Sequence, residues 1–219
     1  IPNSAKLLII ERDLTLLEYN DCRYHISQIS SANSVDIIRE RKSKVNFSCG
    51  VSINNLSLNE NDIGDFKTFL KLSPPLRTET DRNALVQGLN DETIDVIVSD
   101  HKPEDEENKR LTFAQAETGA SGIETLLPLS LELYHNGSVA LETIIKALTS
   151  KPAEILKINK GNLSTGNDAD FCIVDINKPW VVRKEKLISK SKNTPIEDKK
   201  LQGKVISTFV NGEELFKSE

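Results

Sequence analysis

The chain has 219 residues, of which 37% are hydrophobic and 28% charged, and its formal net charge is −5. This composition predicts a packed, folded core, and the negative charge gives no reason to expect a nucleic acid or an anionic membrane as a partner. No apolar run is long enough to span a membrane, and three scattered cysteines predict a reducing, cytoplasmic environment without disulfides. Methionine is absent even at position 1, so we expect the sequence to begin inside a larger protein.

Predicted helices and strands alternate along the first hundred residues. The predicted helices cover 7–20, 31–42 and 79–90, and the last of them is expected to end at Gly88 or Asn90. The predicted strands cover 22–30, 46–53 and 94–100. Ser4 is a candidate cap for the first helix and Asn33 or Ser34 for the second, while 55–66 reads as a polar connection. This order is typical of a parallel α/β fold.

The second half of the chain changes character near residue 160. Before that point, helices are predicted at 124–137 and 141–158. After it, short β segments separated by Gly, Asn and Pro turns are predicted at 161–176, 179–187 and 203–216. The basic stretch 184–193 reads as a solvated loop. We therefore predict two domains, residues 1–160 and a small β-rich domain at 161–219.

Three polar residues lie close to predicted strand ends, namely His25, Asn54 and Asp100. Chemistry in parallel α/β folds collects at the carboxyl ends of the strands. A histidine and an aspartate on separate strands could share one metal ion, and the aspartate could take a proton from bound water. The simpler interpretations are a histidine packed in the core and an aspartate that caps a helix or accepts a local hydrogen bond. The pattern alone leaves both interpretations open.

Several motifs, in order along the chain, resemble the dihydroorotases of the amidohydrolase superfamily. They are RYHISQISSANSV at 23–35, PPLR at 74–77, DHKP at 100–103, GIET at 122–125 and SKNTP at 191–195. The resemblance covers essentially all residues and only the last half of the family's sequence. It implies the C-terminal half of a TIM-type (β/α)8 barrel at 1–160 and a small β-rich domain at 161–219. Half a barrel has two unpaired sheet edges, so we expect the N-terminal half in the same or another chain.

The resemblance also implies which residues bind metal. His25 falls on a metal-ligand histidine of the family, and Asp100 falls on the catalytic aspartate that binds zinc and carries the proton. Asn54 stands where the family has another ligand histidine. An amide is a poor zinc ligand, so the resemblance implies that zinc binding is reduced or absent.

Four further positions correspond to the family's substrate contacts. Ser73 replaces an asparagine and Glu104 replaces a histidine, both of which hold substrate in the family. Thr118 and Gly119 belong to a stretch whose main chain meets the substrate. Such main-chain contacts remain possible after side chains are substituted. The negative charge of Glu104, by contrast, would repel an anionic substrate.

Three functions are compatible with these residues. The first is a zinc-dependent dihydroorotase that reversibly hydrolyses dihydroorotate, a cyclic amide, to carbamoyl aspartate in pyrimidine biosynthesis. The second is a non-catalytic homologue that serves as a structural partner of aspartate transcarbamoylase. The third is a related amidohydrolase whose substrate has changed. In each case we expect a homo-oligomer and no nucleic acid or membrane partner.

Overall fold

The structure, a computed structural model, describes residues 1–218 and contains one parallel and one antiparallel three-stranded sheet with helices around them. The helices are α1 (Asn3–Leu17), α2 (Ala32–Lys42), α3 (Ile53–Ser57), α4 (Glu79–Asn90), α5 (Glu106–Lys109), α6 (Leu126–His135), α7 (Leu141–Leu148) and α8 (Ser150–Leu156). The strands are β1 (His25–Ile29), β2 (Ser48–Ser52), β3 (Val96–Val98), β4 (Phe171–Val181), β5 (Lys200–Val210) and β6 (Glu213–Lys217). Within residues 1–218, no helix is long and apolar enough to cross a membrane.

The parallel sheet has the order β1-β2-β3, so the predicted parallel α/β arrangement is present. Ile29, Val51 and Ile97 place their side chains in a core that also receives Ile38 from α2 and Leu85 from α4. Because all three strands run in the same direction, their carboxyl ends meet at one edge of the sheet. Ser52, the last residue of β2, pairs with Val98, the last residue of β3.

The helix starts differ from the predicted caps. Helix α1 begins at Asn3 after Pro2, so Ser4 lies inside its first turn and is not the cap. The cap of α2 is Ser31, whose side chain accepts a hydrogen bond from the backbone N–H of Ser34. Proline before a helix needs no N–H partner, and a serine hydroxyl satisfies one of the free donors of the first turn.

Two predicted boundaries were wrong in the middle of the chain. The predicted strand at 46–53 ends at Ser52, and the next residues turn into the short helix α3, part of which was predicted as a polar connection. The predicted helix at 141–158 is two helices, because Thr149 has φ −129° and ψ −79° and separates α7 from α8. Neither break carries a Gly or Pro at the point where it occurs.

The antiparallel sheet has the order β4-β5-β6. Strand β4 joins two predicted segments and runs through Pro179, which an edge strand tolerates because one side of its backbone is unpaired. The predicted segment 203–216 is a hairpin that turns at Asn211 and Gly212, both with positive φ.

Helix α6 packs against the antiparallel sheet and connects it to the rest of the molecule. Gly203 in β5 has φ +103°, and a Cβ atom there would lie 2.3 Å from Cδ1 of Leu131. His135 Nε2 lies 2.9 Å from the carbonyl oxygen of Ile176 in β4. The stretch 184–193 was predicted to be a solvated loop. Asn193 at its end is only 2% exposed, so the stretch is not solvated throughout.

The cap of α4 gives a first testable expectation. Thr78 Oγ1 accepts a hydrogen bond from the backbone N–H of Asp81 at 3.2 Å and donates to the Asp81 carboxylate at 2.7 Å. We expect Thr78→Ala to lower the free energy of unfolding by about 1 kcal/mol, measured by urea denaturation. Thr78→Ser keeps the hydroxyl and should retain most of that stability; an equal loss in both variants would contradict the capping role.

Candidate functional site

The carboxyl edge of the parallel sheet brings two polar side chains to Asp100. Asp100 follows β3 by two residues and has φ +50°, a left-handed conformation that aspartate tolerates better than most residues. Its Oδ1 accepts a hydrogen bond of 2.8 Å from Nε2 of Gln28, and its Oδ2 accepts one of 3.3 Å from Oγ of Ser52. The expected meeting of strand ends is therefore present, but its members are Gln28, Ser52 and Asp100.

His25 lies at the other end of β1. It is the first residue of that strand, it pairs in register with Ser48 at the start of β2, and its Nδ1 lies 2.7 Å from Ser48 Oγ. Four residue steps at about 3.3 Å each separate the two ends of β1 by roughly 13 Å. The predicted position of His25 at the strand end was wrong, and a metal ion on Asp100 would be out of its reach.

Asn54 lies in the first turn of α3 and is 1% exposed. Its backbone N–H donates to Ser52 Oγ at 3.2 Å, but its side-chain Nδ2 is buried without a hydrogen-bond partner in the part of the chain that the structure describes. A buried amide donor without a partner costs stability until an acceptor is supplied. Position 54 therefore presents an N–H group that needs an acceptor.

Three of the four predicted substrate positions surround one lysine, Lys102. Its Nζ lies 3.2 Å from the carboxylate of Glu104 and donates at 2.7 Å to the carbonyl oxygen of Thr118. Gly119 follows with φ +141°, and a Cβ atom there would lie 2.6 Å from the carbonyl oxygen of Lys102. Ser73 is exposed, and among the described residues no side-chain hydrogen bond joins it to this group.

The electrostatics favour a protonatable carboxyl group at the sheet edge. Burial raises the pKa of Asp100, while the hydrogen bonds from Gln28 and Ser52 and the charges of Lys102 and Lys6 oppose that rise. Burial also lowers the pKa of Lys6 on α1, against the attraction of Asp100. A carboxyl group whose pKa is raised towards neutrality is better placed to exchange protons at physiological pH.

The donor set at this edge does not fit a zinc ion. Gln28 meets Asp100 through an N–H group, which has no lone pair to give to a metal, and Asn54 presents another N–H donor. Over residues 1–218, no three His, Cys, Asp or Glu side chains are grouped to hold a metal ion. Zinc would require at least three such ligands, so Asp100 alone does not make a zinc site.

Two site residues escaped the sequence analysis. Gln28 lies on a mostly apolar strand, within the segment of β1 where the register shifts between Ile26 and Ile29, and it donates a hydrogen bond to Asp100. Asn193 was not among the predicted site residues, but its Nδ2 donates to the carbonyl oxygen of Gly119 at 3.2 Å. The only signals for these two residues were the motifs that contain them, SKNTP for Asn193 and RYHISQISSANSV for Gln28.

Comparison with known proteins places these observations in a family. The sequence model of the amidohydrolase family matches residues 13–215. The dihydroorotase of Ehrlichia canis is 41% identical over 97% of this chain, and that of the Wolbachia strain from Drosophila simulans is 38% identical over 99%. The match covers 48% and 49% of those two proteins, so the chain spans about half the length of the curated relatives it matches.

Solved structures agree on the fold. The L-hydantoinase (dihydropyrimidinase) from Arthrobacter aurescens has a TM-score of 0.91 and 27% identity, covering 95% of this chain and 48% of its own. The dihydropyrimidinase from Brevibacillus agri has a TM-score of 0.92 at 23% identity, covering 99% of this chain and 49% of its own. The second likeness concerns the fold alone.

Proposed function

Because the chain belongs to the amidohydrolase family, we propose that it is the C-terminal half of a dihydroorotase-type cyclic amidohydrolase of pyrimidine biosynthesis. The observation that carries this proposal is Asp100, a half-buried carboxyl group with a raised pKa at the carboxyl edge of the sheet. The reaction of the whole protein would be the reversible hydrolysis of dihydroorotate to carbamoyl aspartate.

Asp100 would carry the proton in this reaction. Water adds its oxygen to the ring carbonyl carbon, and the bond from that carbon to the ring nitrogen breaks. Asp100 takes the proton that water loses and returns it to the leaving nitrogen, so no net proton is consumed by the carboxyl group. General acid–base catalysis of this kind contributes about 100-fold to 10,000-fold to the rate.

The fold of the whole protein follows from the same proposal. Strands β1 to β3 would belong to a (β/α)8 barrel, and β4 to β6 to a small β-rich domain, with the division near residue 160. In the sheet order β1-β2-β3, the outer edge of β1 has no strand partner within residues 1–218. The N-terminal half of the barrel, in the same or another chain, would pair with that edge, because an open parallel edge is otherwise left unsatisfied.

Amidohydrolases are generally metal-dependent, yet the described residues do not supply a zinc site. Zinc is therefore part of this proposal only through donors outside residues 1–218. No step of the reaction above is assigned to it. The substrate contacts of this half would come from the main chain of Thr118 and Gly119, beside Glu104, whose negative charge is paired with Lys102.

A second candidate function rests on the contacts of Asp100. Both of its carboxylate oxygens are occupied by neutral donors, and the amide of Asn54 stands at the implied ligand position. This arrangement favours a non-catalytic homologue that acts as a structural partner, and aspartate transcarbamoylase is the candidate partner. In that case the cytoplasmic protein would work in the same pathway without turning over the ring.

An assay of the whole protein separates these candidates. We expect purified full-length protein, supplied with zinc, to hydrolyse L-dihydroorotate above the buffer rate in a coupled or chromatographic assay. Absence of hydrolysis together with co-elution with aspartate transcarbamoylase in size-exclusion chromatography would favour the structural role. Hydrolysis of hydantoin or dihydrouracil alone would show that the substrate class is right and the ring is different.

A further inference from the structure

Four main-chain carbonyl groups between residues 114 and 118 each receive a hydrogen bond from a lysine. Lys71 Nζ donates to the carbonyl oxygens of Ala114 at 2.9 Å and Ala116 at 2.6 Å. Lys109 donates to that of Glu117 at 2.7 Å, and Lys102 donates to that of Thr118 at 2.7 Å. The three lysines come from three separate places in the chain, so their convergence on one segment is a property of the fold.

Lys109 is the most deeply placed of the three. It is 2% exposed and is the largest fully buried side chain of the described residues. Its ammonium group also lies 3.3 Å from the carbonyl oxygen of Thr68, while Thr68 Oγ1 donates to the carbonyl oxygen of Lys109 at 2.5 Å. Burying a charged amine is unfavourable unless it is well bonded, so these contacts offset a substantial desolvation cost. These hydrogen bonds connect the backbone at Thr68 with the backbone at Lys109 and Glu117.

The segment leads directly into the main chain that the proposed substrate would meet. The N–H of Gly119 donates to the carbonyl oxygen of Lys71 at 2.9 Å, and the carbonyl oxygen of Gly119 accepts from Asn193 at 3.2 Å. The backbone at Gly119 has φ +141° and is packed against Lys102 so closely that a Cβ atom would not fit. Its position is therefore set by its neighbours rather than by its own conformational preference.

We propose that Lys71, Lys102 and Lys109 form a lysine clasp, a set of positioning residues that holds the main chain of Thr118 and Gly119 in its substrate-binding geometry. The substrate part of this inference rests on the proposed function. The part that concerns the position of the segment does not rest on the proposed function, because it follows from the hydrogen bonds alone. Charge-assisted bonds from an ammonium group are about twice as strong as neutral ones, which suits lysine to this task better than an amide or hydroxyl donor.

The clasp has a defined pH dependence through Lys109. Burial lowers the pKa of Lys109 to about 8; Glu104 and Glu117 oppose the shift, and Lys102 and Lys71 add to it. Above pH 8 the native state has lost a proton that the unfolded chain keeps up to its ordinary pKa of 10.5. This titration therefore raises global stability as pH increases through that window, whereas it weakens the bond to Glu117. As pH rises through this window, the order of the segment should therefore decrease while the free energy of unfolding increases.

Hydrogen exchange of the full-length protein tests the clasp. We expect Lys109→Met to increase exchange of the backbone amides of Glu117 and Gly119 by about tenfold or more, because a charge-assisted bond is lost. The unfolding midpoint should stay the same or rise, since a buried charge has been removed. Lys146→Met removes an exposed lysine from α7 and serves as the matched control, with no change in either amide. Wild-type protection of the two amides should also fall between pH 7 and pH 9.

A second variant protects the test against a folding defect. If Lys109→Met does not fold, Lys71→Met should produce the same local increase, because Lys71 binds the adjacent carbonyl groups and is less buried. Unchanged exchange at both amides in a folded variant would overturn the clasp. If exchange increases but the variant keeps the wild-type KM and kcat for L-dihydroorotate, the lysine clasp positions the segment but has no role in substrate binding. If the wild-type protein shows no turnover, calorimetric binding of L-dihydroorotate replaces KM as the readout.

Discussion

Asp100→Asn is expected to reduce hydrolysis of L-dihydroorotate by at least about 100-fold and, at the same time, to make the protein more stable at neutral pH. The loss of activity follows because an amide cannot accept and return a proton, and general acid–base catalysis contributes at least that factor. The fold should accept the change. Asparagine tolerates the left-handed backbone at φ +50°, and its carbonyl oxygen can still accept the hydrogen bond from Gln28.

The stability gain depends on the sign of the pKa shift. Burial raises the pKa of Asp100 above its ordinary value of 3.8, so the native state holds this proton more tightly than the unfolded chain does. The contribution of Asp100 to stability is therefore largest in acid and falls as pH rises from 3.8 through its raised native pKa. An asparagine does not titrate and avoids that loss. Activity and stability would then be in conflict at one residue, as is common for catalytic groups.

Thermal unfolding between pH 4 and pH 8 checks this expectation alongside the activity assay. The difference between Asp100→Asn and the wild type should grow with pH. Asp36→Asn, which alters an exposed carboxylate on α2, is the control and should leave both activity and the pH dependence unchanged. Retained activity in Asp100→Asn would exclude Asp100 as the proton carrier. A destabilised variant would mean that hydrogen bonds to the ionised form outweigh its burial.

Much of the parallel half of the fold can be predicted from local pattern. The helix over 79–90 was predicted with its start correct and its end at one of the two expected positions, Asn90, because its acidic first turn and its apolar spacing agree with each other. The apolar strand before Asp100 was also predicted correctly, apart from its exact ends. In both cases short-range signals coincide with the burial that tertiary packing imposes.

The site was harder to predict because its residues are set by register and by distant contacts. A register shift in β1 between Ile26 and Ile29 accompanies the contact of Gln28 with Asp100, and such irregularities re-aim side chains without a distinctive sequence signal. His25, which looked like the functional residue of that strand, begins it instead. Asn193 reaches Gly119 across 74 positions of sequence. No local pattern carries information about such a contact.

The same geometry predicts how a zinc site could be introduced. Gln28 Nε2 lies 2.8 Å from Asp100 Oδ1. An imidazole at position 28 would replace this N–H group with a nitrogen lone pair that can bind zinc beside Asp100. Asn54 follows Ser52, the other partner of Asp100, by two residues and is buried with an unpaired donor. Histidine at both positions together with Asp100 would provide three donors of the types that zinc prefers.

We therefore expect the double variant Gln28→His with Asn54→His to bind zinc at least about tenfold more tightly than the wild-type protein, since even supporting residues change metal affinity by about 10-fold to 100-fold. Zinc per chain, measured by elemental analysis after dialysis of the full-length protein at graded free zinc, gives the comparison. His25→Gln in the double variant is the matched control, and it should leave zinc binding unchanged because His25 lies at the far end of β1. If zinc affinity depends on His25 and not on position 28, the strand end that faces the metal has been assigned wrongly. If neither histidine changes it, the two amides do not occupy metal-ligand positions, and Asp100 would then act without a metal partner from this half of the protein.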